Sequence, residues 1–150
     1  MIKMVKVNRQ SVSFCKYSIA AFILLALITG SLIPVSIVFT LMLLSAAAGI
    51  EKAPLVLLFD RLVSPRINPE RVYINHYSMR FAHIVGCIFC VMIILAYYFA
   101  PYVIFFILLL IFAFLQSVAA FGYCSAAKLY ECVICNSNCC RVGKKIRGNR

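Results

Sequence analysis

Eight cysteines stand in this chain of 150 residues, and thiols are the side chains here best suited to chemistry. Four are crowded into nine positions, Cys132-Val-Ile-Cys135-Asn-Ser-Asn-Cys139-Cys140. Such a set could hold a metal, zinc or an iron–sulfur cluster, because thiolates ligate both. It could also cycle between dithiol and disulfide, or be unreactive or lipid-modified. The spacing matches no standard zinc pair-of-pairs. Lys128, Arg141, Lys144 and Lys145 flank the cluster and favour thiolate over thiol. A second set is His83, Cys87 and Cys90. Offsets of four and seven residues place these on one helical face, as candidate metal ligands or a Cys-x-x-Cys redox pair. The plain alternative is that each packs as a small buried side chain.

These thiols are positioned by two charge-free runs, Tyr17 to Ile50 and Phe81 to Ala127. The chain is 65% hydrophobic and 13% charged, too apolar for a soluble domain. A spanning helix needs about 20 apolar residues. Gly30-Ser31 with Pro34 splits the first run, and Ala100-Pro101 splits the second. The expectation is one all-α domain, an integral membrane four-helix bundle with spans at about 14–30, 32–50, 79–99 and 102–123. Lys16 would snorkel from the first span to the headgroups. Ala53 to Val63 is too short to cross and reads as an interfacial helix in the central loop, with Pro54 near its start, and 124–150 as a basic, Cys-rich cytoplasmic tail. Residues 1–13, which alternate apolar and basic side chains, read as a lead lying at the interface. Residue identities show no obvious internal repeat.

All fifteen Lys and Arg lie before, between or after the runs, so both termini and the central loop are expected in the cytoplasm of a multi-pass cell-membrane protein. The net charge of +11 then reflects attraction to anionic lipid; no basic-aromatic pattern of a nucleic-acid module is present. No charged residue lies inside a charge-free run, which argues against a proton pump or charge-coupled transporter. His76 beside Tyr73 and Tyr77 reads as interfacial, and Asp60, Glu51 and Glu70 as loop ion pairs. With this topology Cys124 ends the fourth span at the level of Cys15 in the first, and a reducing compartment disfavours a permanent disulfide.

Several stretches resemble one known family. They are Asn8-Arg9-Gln10, Leu27-Ile28-Thr29-Gly30, Ser64-Pro65-Arg66-Ile67, Arg80-Phe81-Ala82-His83-Ile84-Val85-Gly86 and Ala119-Ala120-Phe121-Gly122-Tyr123-Cys124. The chain is similar over about Asn8 to Tyr130 to the prokaryotic membrane family called domain of unknown function 4395. The family pattern continues Cys-x-Gly-Cys-x-x-Tyr; here Cys124 and Tyr130 match, but Ala127 replaces the second cysteine. The resemblance implies a four-span membrane protein linked to thioredoxin-like or sulfur-transfer partners. The leading expectation is a thiol-redox or sulfur-handling role, with Cys124 as the attacking thiol and Cys132 or Cys135 resolving. The rivals are a non-catalytic subunit of a larger membrane complex, and a metal-binding scaffold using Cys132, Cys135, Cys139 and Cys140.

Overall fold

A computed structural model of the chain describes residues 4–63 and 71–121. A strand β1 (Met4–Asn8) leads into helix α1 (Arg9–Thr29), which turns into α2 (Leu32–Ala48). A single 3-10 turn (Ile50–Lys52) and a short helix α3 (Pro54–Leu62) follow. Strand β2 (Arg71–Asn75) then leads into α4 (His76–Phe99), which turns into α5 (Tyr102–Ala120).

Among the described residues α1, α4 and α5 are long and apolar enough to cross a membrane. By length and composition this marks a membrane protein. They expose many large apolar side chains, among them Leu24, Ile28, Ile88, Leu110 and Phe114, which suit lipid contact. The turns fall at the expected breaks. Gly30 closes α1 in the left-handed conformation with φ 61°, and Pro101 starts α5.

The all-α expectation needs one correction. Met4–Asn8 and Arg71–Asn75 pair as an antiparallel two-stranded sheet. The apolar-basic alternation at the N-terminus is therefore the period of a strand, not an interfacial lead. Val5 and Val7 point into the core while Lys6 faces out, 6.0 Å from the centre of the Tyr73 ring. Each strand ends on an asparagine that caps the next helix. The Asn8 side chain accepts from the Gln10 amide at 3.0 Å, and Asn75 from the Tyr77 amide at 3.1 Å.

Those two caps belong to an internal repeat that sequence inspection missed. Val5 and Val72, Asn8 and Asn75, Ser11 and Ser78, Phe14 and Phe81, and Phe22 and Phe89 are identical pairs, each 67 residues apart. At the same spacing Val12 and Met79, Ile19 and Gly86, Ile23 and Cys90, and Ala26 and Ile93 are all buried. The unit strand–Asn cap–long helix–helix thus occurs twice, as β1-α1-α2 and β2-α4-α5. The strand register shows how the copies relate. Lys6 pairs with Tyr73, its own equivalent, and Val5 pairs with Ile74 as Val7 does with Val72. That is the pattern of a twofold axis through the Lys6–Tyr73 pair. Helix packing obeys it: α1 lies mainly on α5 and α4 mainly on α2, while the α1–α2 and α4–α5 pairs pack less extensively.

One element breaks the symmetry. α3 packs on α1, where the Ser11 hydroxyl donates to Asp60 Oδ1 and Phe59 meets Phe14 at 5.1 Å. In the other copy Ser78 donates to the Asn75 carbonyl at 3.1 Å instead.

Candidate functional site

On α4, Met79, His83 and Gly86 succeed one another at turn spacing and make one stripe. α1 contributes Val12, Cys15, Lys16 and Ile19; α2 contributes Met42; α5 contributes Phe112, Leu115, Gln116 and Ala119. These stripes do not close on one another. They leave a cavity of about 100 Å³. Gly86 helps to shape it, because the Met42 sulfur rests where a Cβ on residue 86 would stand. The rings of Phe89 and Phe112 are also in the wall, nearly parallel at 5.5 Å and 6°. α1 and α4 enter the cavity with their first halves, α2 and α5 with their second. The four helices therefore alternate in direction, and the cavity sits at the end that also carries the sheet and α3.

The cavity lies on the pseudo-twofold axis. Four equivalent pairs, each 67 residues apart, line it: Val12 and Met79, Cys15 and Ala82, Lys16 and His83, Ile19 and Gly86. The wall is almost wholly apolar, interrupted by His83, Lys16, Gln116 and Cys15. His83 is the least expected. It is only 8% exposed, and its buried Nε2 has no hydrogen-bond partner among the described residues. Leaving such an atom unpaired costs about 1–3 kcal/mol, so its presence calls for an explanation.

The predicted site residues are distributed unevenly around this cavity. His83 and Cys15 are in its wall. Cys90 is fully buried and Cys87 half-buried, and neither is part of that wall. Cys15, Cys87 and Cys90 are free thiols. Among the described residues no three His, Cys, Asp or Glu side chains gather closely enough to hold a metal ion. Cys124, Cys132, Cys135, Cys139 and Cys140 lie outside the described residues. Lys16, expected to snorkel to the headgroups, is half-buried at the cavity wall. Asp60, expected in a loop ion pair, sits on α3 and accepts from Ser11 and, at 3.5 Å, from the Asn8 amide. Sequence reasoning missed Met42, Gly86, Phe112 and Gln116. The signal that could have found part of the wall was the 67-residue spacing, which puts His83 opposite Lys16.

The opposite end differs in character. Tyr97, Tyr102, Phe105 and Phe106 form a ring cluster there, with Tyr98, Phe99 and Tyr102 exposed. Aromatic side chains of this kind favour a membrane–water boundary.

No curated protein and no solved structure matches the chain. One family model does match, over residues 7–134, and its span includes the last two residues of β1, strand β2, helices α1 to α5 and every residue of the cavity wall. The chain belongs to the family described as Domain of unknown function (DUF4395).

Proposed function

We propose that this protein is a four-span membrane protein that handles thiols at its charged end, as part of a redox or sulfur-transfer system. α2 supplies the fourth crossing. Its 17 residues reach about 25 Å, a little under the hydrocarbon thickness. Antiparallel packing beside α1 and α4, with buried residues from Pro34 to Ala46, supports a transmembrane place and a four-helix bundle. α3, with Leu57, Leu58 and Leu62 exposed beside Arg61, has the make-up of a helix in the interface. Among the described residues every Lys and Arg belongs to a segment at the sheet end, which supports a cytoplasmic placement of that end.

The observation that carries the thiol reading is convergence. Cys15 lines the cavity at the charged end, and α5, which lines it through Gln116 and Ala119, ends at Ala120, four residues before Cys124. In the proposed exchange the Cys124 thiolate attacks a disulfide of a thioredoxin-like partner. A mixed disulfide forms and one partner thiolate leaves. Cys132 or Cys135 then attacks the Cys124 sulfur, closes an internal disulfide and releases the second partner thiolate. The partner gains two electrons, and the two thiol protons given up here restore its dithiol. Ala127 cannot act as the resolving group, so a more distant cysteine must.

The test is trapping in cells. Replacing Cys132 and Cys135 together by serine is expected to accumulate a disulfide-linked adduct that disappears on reduction. Adding Cys124→Ser should abolish it. An adduct that survives Cys124→Ser, or no adduct from any variant, overturns the exchange. A fixed partner that co-purifies irrespective of the cysteines would instead make the chain a structural subunit.

A further inference from the structure

We propose that the cavity between α1, α2, α4 and α5 binds the ring of a membrane-borne 1,4-quinone, its two carbonyl oxygens held by Lys16 and His83. The inference is independent of the thiol exchange above.

Size comes first. A cavity of about 100 Å³ is comparable to, and somewhat smaller than, the roughly 150 Å³ apolar cavities that hold benzene. It suits one six-membered ring and is too small for a fused macrocycle. The walls come second. Phe89, Phe112, Met42, Met79 and Ile19 offer flat or polarizable apolar surface, which favours a planar, weakly solvated group.

The polar groups then select the chemistry. Lys16 and Gln116 present N–H donors, and His83 can donate through Nε2. Among the described residues no carboxylate lines the cavity, so a cationic ligand would find no counter-charge in this wall. A phosphate head would bring its charge into an apolar pocket against a single ammonium, at a high desolvation cost. A plain acyl chain would leave the His83 Nε2 still unpaired. A ring bearing carbonyl acceptors satisfies it without burying a charge.

Symmetry narrows this further. Lys16 and His83 occupy equivalent positions on α1 and α4, which lie diagonally across the axis, each packed mainly on α2 and α5. Donors placed on two sides of a twofold axis match acceptors on two sides of a ring. The 1,4-quinone has that symmetry, and its isoprenoid tail would be at home among the lipid-facing helices.

The experiment uses the full chain, purified in detergent and placed in quinone-free phosphatidylcholine nanodiscs. The probe is a photoreactive azidobenzoquinone with a short isoprenoid tail. Label is expected on peptides covering 79–89 or 112–119. Excess unlabelled short-chain benzoquinone should cut it at least tenfold, whereas an isoprenoid alcohol of the same tail should not. Loss of one buried hydrogen bond predicts about tenfold weaker competition in His83→Leu, with His83→Gln within about threefold of wild type. Should His83→Leu fail to fold, Gln116→Leu and the wild-type competition decide. Labelling that quinone does not displace, that the alcohol displaces equally, or that only Cu(I) or Zn(II) displaces overturns the proposal. So does a folded His83→Leu protein with undiminished competition.

Discussion

Gly49→Ala should destabilise the protein by about 3 kcal/mol or more, while Gly30→Ala should cost only about 1 kcal/mol. Both glycines follow a helix, and both have positive φ. The difference is in the rest of the geometry. Gly30, at φ 61° and ψ 15°, is in the left-handed helical region, which other residues enter at moderate cost. An added Cβ there meets the Tyr102 hydroxyl at 2.8 Å, the tip of an exposed side chain that can swing away. Gly49, at φ 84° and ψ 163°, occupies a region open essentially to glycine alone. Its added Cβ would run into the His76 ring at the start of α4, which is packed edge-on against Tyr77 at 5.6 Å. Thermal unfolding in detergent, read on the two single variants, checks the order. A His76→Ala change made in the Gly49→Ala background should recover the steric part and leave the backbone part. Equal midpoints for the two single variants would refute the assignment.

This glycine also shows where sequence was sufficient and where it was not. Charge-free runs and their Gly and Pro breaks located the helices well, because lipid imposes length and composition directly on the chain. The span predicted from 102 begins at Tyr102, and that from 32 at Leu32. The long helices α1 and α4 begin earlier than expected, at Arg9 and His76, because Asn8 and Asn75 cap them. Their first turns contain Gln10, Ser11, Tyr77 and Ser78, polar enough to read as loop when composition alone is the guide. The strands escaped for a related reason. Five residues in which Val5 and Val7 flank Lys6 fit either an interface or a strand, and only pairing with a segment about 67 positions away decides. The cavity was less legible still. Cys15 and His83 stood out by residue type, but the gap they face depends on Gly86 admitting Met42 from another helix. Lys16 looked like an ordinary basic anchor until the repeat set it opposite His83. Conversely, the His83, Cys87 and Cys90 stripe was predicted from helical spacing, yet Cys87 and Cys90 lie outside the cavity wall and only His83 reaches it.

Asp60 is the second position where one substitution should have a large effect, about 2–3 kcal/mol for Asp60→Ala. Its carboxylate receives the hydroxyl of Ser11, which is 0% exposed, and the side-chain amide of Asn8, which is 8% exposed. Removing the acceptor leaves a fully buried hydroxyl without its partner, and charge-assisted bonds of this kind are the stronger ones. The same change loosens α3, which also packs Phe59 on Phe14 of α1. Asp60→Asn keeps an acceptor oxygen and should lose about half as much. Ser78→Ala is the symmetry control. Ser78 occupies the equivalent place on α4 but donates within its own helix start, so its loss should cost about 1 kcal/mol or less and leave α3 docked. Melting in detergent gives the stabilities, and the rate of maleimide labelling at a cysteine placed at the buried Val56 in a background without native cysteines gives the docking of α3. Faster labelling with Asp60→Ala but not with Ser78→Ala is the expected pair of results. If both variants speed labelling alike, α3 is held by general packing at this end, and the repeat is not broken by Asp60.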